Sequence, residues 1–266
     1  MIHTEMPLID KKIIITRAQE QSSEAHKIFK QNGAQVFDLP SLIIGPPDDW
    51  SPLDDALKKI YTFDWIIFSS ANGVKNFEER IKLIDLSLAK ISKTIKIAAV
   101  GKKTASLLSD IDAKISFVPP HFVADSLVEH FPQNQKGLKL FIPRVQTGGR
   151  SLFSDSFKYN AAEVTEVAAY ESTCPKSIPK KTIDALKSRK IDIIAFTSGK
   201  TVINTVSLFK KHFGRNWLKL IENIKIISIG PQTSMSCKNL IREPDNEANP
   251  HDLEGLLQAC LELNYH

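Results

Sequence analysis

The amino-acid sequence predicts an α/β protein with two similar doubly wound parallel-sheet domains. Three observations support this fold class: short apolar runs alternate with longer amphipathic segments, a block ending at Ser70 recurs 128 residues later, and 266 residues suffice for two domains. The composition, with 42% hydrophobic and 24% charged residues, is that of an average globular protein. Disordered, collagen-like and coiled-coil chains are therefore excluded.

The first predicted strand is Lys12–Thr16, a run rich in β-branched residues that is typical of a strand buried on both faces. An amphipathic helix follows, with Ala25, Ile28 and Phe29 on its apolar face and Gly33 as its stop. Further strands are predicted near residues 63–69, 95–100, 138–142, 162–170, 191–197 and 224–229. This alternation of strands and helices indicates two mostly parallel sheets.

An internal repeat is the clearest signal in the chain. Four pairs of segments match in the same order and at nearly the same spacing, which indicates a duplicated α/β unit and disfavours one large α/β barrel. The pairs are Phe63–Ser70 with Ile191–Ser198, Lys96–Thr104 with Lys225–Thr233, Ile15–Arg17 with Ile142–Arg144, and Ser126–Val128 with Gly255–Leu257.

Candidate binding residues follow the predicted strands, because ligands of open parallel sheets bind beyond the carboxyl ends of the strands. The repeated turns place serines at expected helix caps, glycines where the backbone can approach a ligand, and threonines in the first helical turn. Helix N-termini there would offer unpaired amides to carboxylates or phosphates. Since every such fold needs caps and turns, a purely structural role stays open. The residues are Ser70, Ser198, Gly101, Gly230, Thr104 and Thr233, with Pro231 suited to a first helical position.

Three arginines and one tyrosine complete the candidate site. Arg17 and Arg144 end equivalent strands, and Arg150 follows two glycines shortly after Arg144. A guanidinium can hold a carboxylate through two parallel hydrogen bonds, although each arginine could instead be a surface charge. Tyr170 ends a predicted strand, where its phenol could donate a proton to a leaving group or could simply pack.

Common cofactor and metal motifs are absent, including GxGxxG after the first strand, GxxxxGK[ST], HExxH and GxSxG. The seven histidines lack metal-ligand spacing, so we expect neither a cofactor nor a metal. Three cysteines without a CxxC pair indicate reduced thiols. A net charge of +5, spread along the chain, favours an anionic small molecule over nucleic acid. With no signal segment or membrane-spanning run, we expect a cytoplasmic protein that binds no membrane.

Taken together, these residues resemble the uroporphyrinogen-III synthase family of tetrapyrrole biosynthesis. The resemblance runs over essentially the whole chain, and the order and spacing of its short motifs make it specific. The motifs are Ile15-Thr16-Arg17, Asp64 to Ser70, Val100-Gly101 to Thr104-Ala105, Ile142-Pro143-Arg144 with Gly149-Arg150, Val167 to Tyr170, Phe196-Thr197-Ser198, and Ile229-Gly230-Pro231 with Thr233.

The resemblance implies a fold and a reaction. One domain would comprise residues 1–39 and 176–266, a second would be inserted at 46–166, and residues 40–45 and 167–175 would be linker strands beside a cleft. The reaction is the cyclisation of hydroxymethylbilane, a linear tetrapyrrole with eight carboxylates, to uroporphyrinogen III. The last pyrrole ring is inverted and one water is lost, through azafulvene and spiro intermediates.

The resemblance also implies roles for individual residues. Tyr170 matches the tyrosine that assists departure of the hydroxyl, and no cofactor takes part. We expect a monomer with transient contact to the preceding pathway enzyme. A non-catalytic binder of a small polyanion is the alternative function. A sugar-phosphate isomerase is a third hypothesis, but the repeated loops contain no evident His or Glu base for that reaction. The expected substrate-binding residues are Arg17, Ser70, Gly101, Thr104, Arg144, Gly149, Arg150, Thr197, Ser198, Gly230 and Thr233.

Overall fold

The computed structural model describes residues 6–17, 22–121, 124–147, 152–160 and 162–263, and within them it contains two five-stranded sheets. The chain divides into two units, each built around one sheet. The first unit joins residues 1–43 to residues 173–266, and the second unit is residues 44–172.

Strands and helices alternate along most of the described chain. The strands are β1 (Lys12–Thr16), β2 (Gln35–Asp38), β3 (Ile43–Gly45), β4 (Trp65–Phe68), β5 (Lys96–Ala99), β6 (Lys139–Val145), β7 (Glu163–Thr173), β8 (Ile193–Phe196), β9 (Lys225–Ser228) and β10 (Asn246–Glu247). The helices are α1 (Ser22–Gln31), α2 (Ser51–Lys58), α3 (Ala71–Lys82), α4 (Leu88–Ile91), α5 (Lys102–Asp110), α6 (Ala124–Glu129), α7 (Leu152–Tyr159), α8 (Lys180–Lys187), α9 (Gly199–Phe213), α10 (Leu218–Ile221), α11 (Pro231–Leu240) and α12 (Leu253–Leu261).

The sheet of the first unit has the strand order β10-β9-β8-β1-β2, and every neighbouring pair in it is parallel. Successive side chains of a strand point to opposite faces. Accordingly, Ile14 packs into a core with α8, α9 and α11, whereas Ile13 and Ile15 pack into a second core with α1 and α12. Burial on both faces explains why the central strands β1, β8 and β9 are mostly apolar.

The sheet of the second unit has the order β3-β7-β6-β4-β5, and the pairs β7–β6, β6–β4 and β4–β5 are parallel. Ile66 and Phe68 of β4 pack into one core with α2, α3 and α5. Trp65 and Ile67 face the opposite core, which contains Phe157 of α7. Both sheets are therefore covered by helices on both faces.

The predicted fold class is confirmed, since the two units are parallel α/β sheets flanked by helices. The short strands β2 and β10, of four and two residues, were not predicted because they lack a long apolar run, whereas β3 lies in the segment 40–45 that was expected as a linker strand. The strand predicted near 162–170 and the linker strand predicted at 167–175 form one strand, β7, which ends at Thr173, so Tyr170 lies within it rather than at its end.

The segments expected as linker strands contain β3 and part of β7, and these two strands are neighbours in the second sheet. Their linking role and the predicted domain boundaries stay predictions. Within the described residues, no helix combines the length and the apolar character that crossing a bilayer requires.

Candidate active site

A register shift in β7 aims Tyr170 into the core of the second unit. Arg144 of β6 lies opposite Ala168, but the next residue, Val145, lies opposite Tyr170, so Ala169 is an extra residue at this point. Ala169 and Tyr170 both pack into the core that α3 covers, although strict alternation would send them to opposite faces. An extra residue of this kind re-aims a side chain.

Ser70 lies at the turn between β4 and α3. Its backbone is extended, and its Oγ accepts a hydrogen bond of 3.0 Å from the backbone N–H of Gly73, so the predicted helix cap is confirmed. The same Oγ is 3.1 Å from Tyr170 Oη. Because β6 separates β4 from β7, this hydrogen bond bridges about 10 Å of sheet, or two strand spacings.

The environment of Tyr170 keeps its phenol protonated. The side chain is buried, with 7% of its surface exposed, and this burial raises its pKa above the ordinary value. The hydrogen bond with Ser70 lowers the pKa, and the nearby Glu171 carboxylate raises it. A neutral, buried phenol of this kind can act as a proton donor.

Gly101 and Gly230 cap α5 and α11, but they are needed for different reasons. Gly101 has φ near +100°, a conformation that residues with a side chain rarely adopt. Gly230 is extended, and a Cβ there would lie 3.2 Å from the ring of His251. Pro231 is the first residue of α11, as predicted.

Thr104 and Thr233 lie in the first turns of α5 and α11, as predicted, and both side chains are buried. Their exposed fractions are only 3% and 4%. Both side chains therefore pack inside their units, whereas the first backbone N–H groups of α5 and α11 have no partner within their own helices.

Hydroxyl groups tie the ends of β1 and β8 together in the first unit. Ser198 caps α9 through a reciprocal capping box with Thr201, in which each side chain accepts a backbone N–H of the other residue at 3.2 Å. Thr201 Oγ1 also accepts from Thr16 Oγ1 at 3.1 Å, and Thr197 Oγ1 donates to Thr16 O at 2.5 Å. The structure therefore brings Thr197 and Ser198 together beside Thr16.

The two described arginines of the candidate site have different surroundings. Arg17 follows β1, and its buried Nη1 has no hydrogen-bond partner among the described residues. Burial lowers the pKa of Arg17, and the Glu24 carboxylate partly offsets this. Arg144 instead forms a salt bridge through its Nη1 with Glu166, whose other oxygen is 3.7 Å from Lys158 Nζ.

Two expected site residues, Gly149 and Arg150, lie outside the described residues. The structure adds polar groups that sequence analysis missed: Ser234 at the start of α11 donates to Glu247 of β10 and lies 2.6 Å from Ser228 Oγ. No local motif marks Glu247, which belongs to a two-residue strand. Within the described ranges, no three His, Cys, Asp or Glu side chains cluster as metal ligands do.

Two solved structures share this fold. The uroporphyrinogen-III synthetase of Helicobacter pylori matches with a TM-score of 0.63 at 17% identity, over 96% of this chain and 100% of that chain. A mutant uroporphyrinogen III synthase of Thermus thermophilus matches with a TM-score of 0.62 at 16% identity, over 92% of this chain and 96% of that chain. Likeness at such low identity shows the fold alone.

Sequence comparisons identify the family. The profile described as Uroporphyrinogen-III synthase HemD matches residues 23–258. The uroporphyrinogen-III synthase of Synechococcus elongatus is 43% identical to the chain over 255 residues, which is 96% of each protein. The resemblance inferred from the motifs is thereby confirmed, as is the prediction of an enzyme rather than a binding module. The chain belongs to the uroporphyrinogen-III synthase family.

Proposed function

We propose that the chain cyclises hydroxymethylbilane to uroporphyrinogen III, with inversion of the last pyrrole ring and loss of water. Family membership supports the reaction, and the buried Tyr170 phenol, hydrogen-bonded to Ser70 at the carboxyl ends of the second sheet, carries the assignment of the site. Tyr170 is the proposed catalytic residue.

The chemistry requires one assisted departure of a hydroxyl group. The C–O bond of the terminal hydroxymethyl group breaks, its electron pair leaves on oxygen, and the Tyr170 proton completes the water molecule. The pyrrole nitrogen supplies the electrons that form an azafulvene. Attack by the substituted carbon of the last ring forms a spiro intermediate, which fragments and recloses with that ring reversed. A ring proton lost on closure balances the proton from Tyr170.

Arg17 is the proposed holder of a substrate carboxylate. A buried guanidinium nitrogen without a hydrogen-bond partner among the described residues calls for an explanation, because nearly all such groups are satisfied in proteins. A carboxylate would accept two parallel hydrogen bonds from this side chain. Arg144 already has Glu166 as a partner, so we assign it a smaller share of substrate binding.

Helix N-termini are the proposed holders of the remaining carboxylates. The turns before α3, α5, α9 and α11 follow the carboxyl ends of β4, β5, β8 and β9, where ligands of such sheets bind. Gly149 and Arg150 are proposed to contribute from the segment after β6. Because hydroxymethylbilane has reactive ends, holding it in one geometry supplies much of the rate.

Several further properties of the chain are proposals from the family resemblance. They are a domain made of residues 1–39 with 176–266, an inserted domain at 46–166 with linker strands at 40–45 and 167–175, a monomeric state, a cytoplasmic location and transient contact with the enzyme that supplies hydroxymethylbilane. Sedimentation of the purified chain tests the monomeric state directly.

The decisive experiment separates the product isomers. Freshly generated hydroxymethylbilane is incubated with the protein, and uroporphyrinogens I and III are separated by chromatography. We expect isomer III with the protein and isomer I, the spontaneous product, in a sample without it. Isomer I alone, together with stoichiometric binding of the tetrapyrrole, would support a non-catalytic binder of polyanions and overturn the proposal.

A further inference from the structure

We infer that Ser70 is a positioning residue, which orients the Tyr170 hydroxyl for proton donation rather than holding the substrate. The inference rests on the proposed role of Tyr170. It starts from one hydroxyl, Ser70 Oγ, that contacts both the N-terminus of α3 and the phenol.

The hydrogen-bond capacity of Ser70 allows it to donate to Tyr170 while it caps α3. A serine hydroxyl has one proton and two acceptor positions. The Gly73 N–H, which can only donate, occupies one acceptor position. When Ser70 donates its own proton to Tyr170 Oη, the phenol proton is left for a different acceptor. In the proposed reaction, that acceptor is the departing hydroxyl oxygen.

The same arrangement stabilises the phenol after it has lost its proton. Tyr170 would briefly be a buried anion, which burial and the Glu171 carboxylate both disfavour. A hydrogen bond from Ser70 opposes these effects. The Gly73 N–H belongs to the first turn of α3. The partial positive charge of that helix end polarises the Ser70 hydroxyl, which makes Ser70 a stronger hydrogen-bond donor to Tyr170.

Gly73 allows Ser70 Oγ to lie close to the first turn of α3. A helix that contains glycine is less stable than one with alanine at the same position. A Cβ at Gly73 would lie 3.2 Å from Ser70 Oγ and 3.5 Å from Pro143 O. The glycine therefore leaves Ser70 Oγ where it can contact Tyr170, and this close approach explains a residue that helix propensity does not.

Five single variants, Tyr170→Phe among them, and one double variant separate the roles that Ser70 could have. Ser70→Ala removes both the cap and the contact with Tyr170. Ser70→Asp keeps a good cap, but its carboxylate cannot donate to the phenol. Ser70→Thr keeps both functions. Ser87→Ala removes an equivalent cap, that of α4, from the same unit and away from Tyr170. Ser70→Ala combined with Tyr170→Phe completes a double-mutant cycle.

We expect Ser70→Ala to lower kcat about tenfold with KM unchanged within about twofold, the effect of one hydrogen bond to a developing charge. Ser70→Asp should restore thermal stability but not kcat, and Ser70→Thr should restore both. Ser87→Ala should leave kcat unchanged. In the Tyr170→Phe background, Ser70→Ala should lower kcat by less than about a further twofold, because the hydroxyl group that Ser70 orients is already absent.

Three results would overturn the inference. A higher KM at unchanged kcat would make Ser70 a substrate ligand. Full activity in Ser70→Asp would leave it only the capping role. Additive losses in the double variant would show that Ser70 acts without Tyr170. An unchanged kcat in Tyr170→Phe would remove both the role of Tyr170 and this inference, yet formation of isomer III would still establish the reaction itself.

Discussion

The Ser70 turn of the second unit and the Ser198 turn of the first unit occupy matching places in the repeat but have different partners. Three residues after Ser198, Thr201 closes a capping box and bonds to Thr16. Three residues after Ser70 stands Gly73, which has no side chain to close such a box. Ser70 contacts Tyr170 instead.

The strands beside these turns differ in the same way. Thr16 of β1 donates to Thr201, whereas the matching residue of β6 is Pro143, which has no hydroxyl group. In the first unit the polar side chains of the turn therefore satisfy one another. In the second unit they are replaced by Gly73 and Pro143, and the hydroxyl of the capping serine is available to a tyrosine. The two turns share the capping serine and differ at two matching positions, Gly73 against Thr201 and Pro143 against Thr16.

The arginines at matching positions of the repeat also differ, but here the polar partner lies in the second unit. Arg144 in the second unit is compensated by Glu166, whereas Arg17 in the first unit keeps a buried nitrogen without a described partner. With the roles proposed above, the second unit would donate the proton through Tyr170 and the first would bind an anion through Arg17. Four experiments test this comparison of the two units.

Tyr170→Phe should have the largest effect on the reaction. Removing a proton donor lowers kcat by about a hundredfold, the lower end for general acid catalysis, because substrate positioning persists. Rates of isomer III formation, corrected for spontaneous isomer I, measure this. Tyr159→Phe, at an exposed tyrosine, is the control. Unchanged kcat in Tyr170→Phe would remove the proposed difference between the units.

Thr201→Val should destabilise the first unit by about 2 kcal/mol, because it removes the hydroxyl that serves the Ser198 N–H and Thr16 Oγ1 inside a fully buried site. Thr201→Ser keeps the hydroxyl and should recover most of the stability. Urea unfolding of the three proteins provides the measurement. Equal stability of Thr201→Val and the parent would contradict the closed network described for this turn.

Arg17→Gln should raise KM about tenfold, the loss expected for one charge-assisted contact to a carboxylate. Arg144→Gln should raise KM less, since Arg144 already pairs with Glu166. Steady-state kinetics on both variants compares them directly. A larger KM change for Arg144→Gln than for Arg17→Gln would reverse the proposed assignment of anion binding.

Gly73→Ala should have the smallest effect. We expect kcat to fall about threefold, because the hydrogen bond between Ser70 and Tyr170 is weakened rather than lost. The new Cβ, 3.2 Å from Ser70 Oγ, forces that oxygen to move by a few tenths of an ångström, while alanine improves helix propensity. Kinetics and thermal unfolding are measured on the same sample. Lower stability with unchanged kcat would show that the close approach serves packing rather than Tyr170.

Sequence patterns determined the fold class, most long strands and the cap at each repeated turn. These features depend on residues close in the chain: burial on both faces requires an apolar run, and a side-chain cap requires a residue such as Ser, Thr, Asp or Asn at the position before a helix. Ser70, Ser198 and Pro231 could therefore be placed correctly from sequence. The short strands β2 and β10 could not, because four and two residues hold too little pattern.

Only the tertiary structure decided what those residues touch. Tyr170 reaches Ser70 because an extra residue shifts the register of β7, and 100 positions separate the two hydroxyls in the chain. Arg17 and Arg144 look equivalent in the repeat, yet a glutamate on a neighbouring strand compensates only Arg144. Contacts between distant segments depend on strand order and register. Because the packing of the whole unit determines both, such contacts leave no local pattern in the sequence.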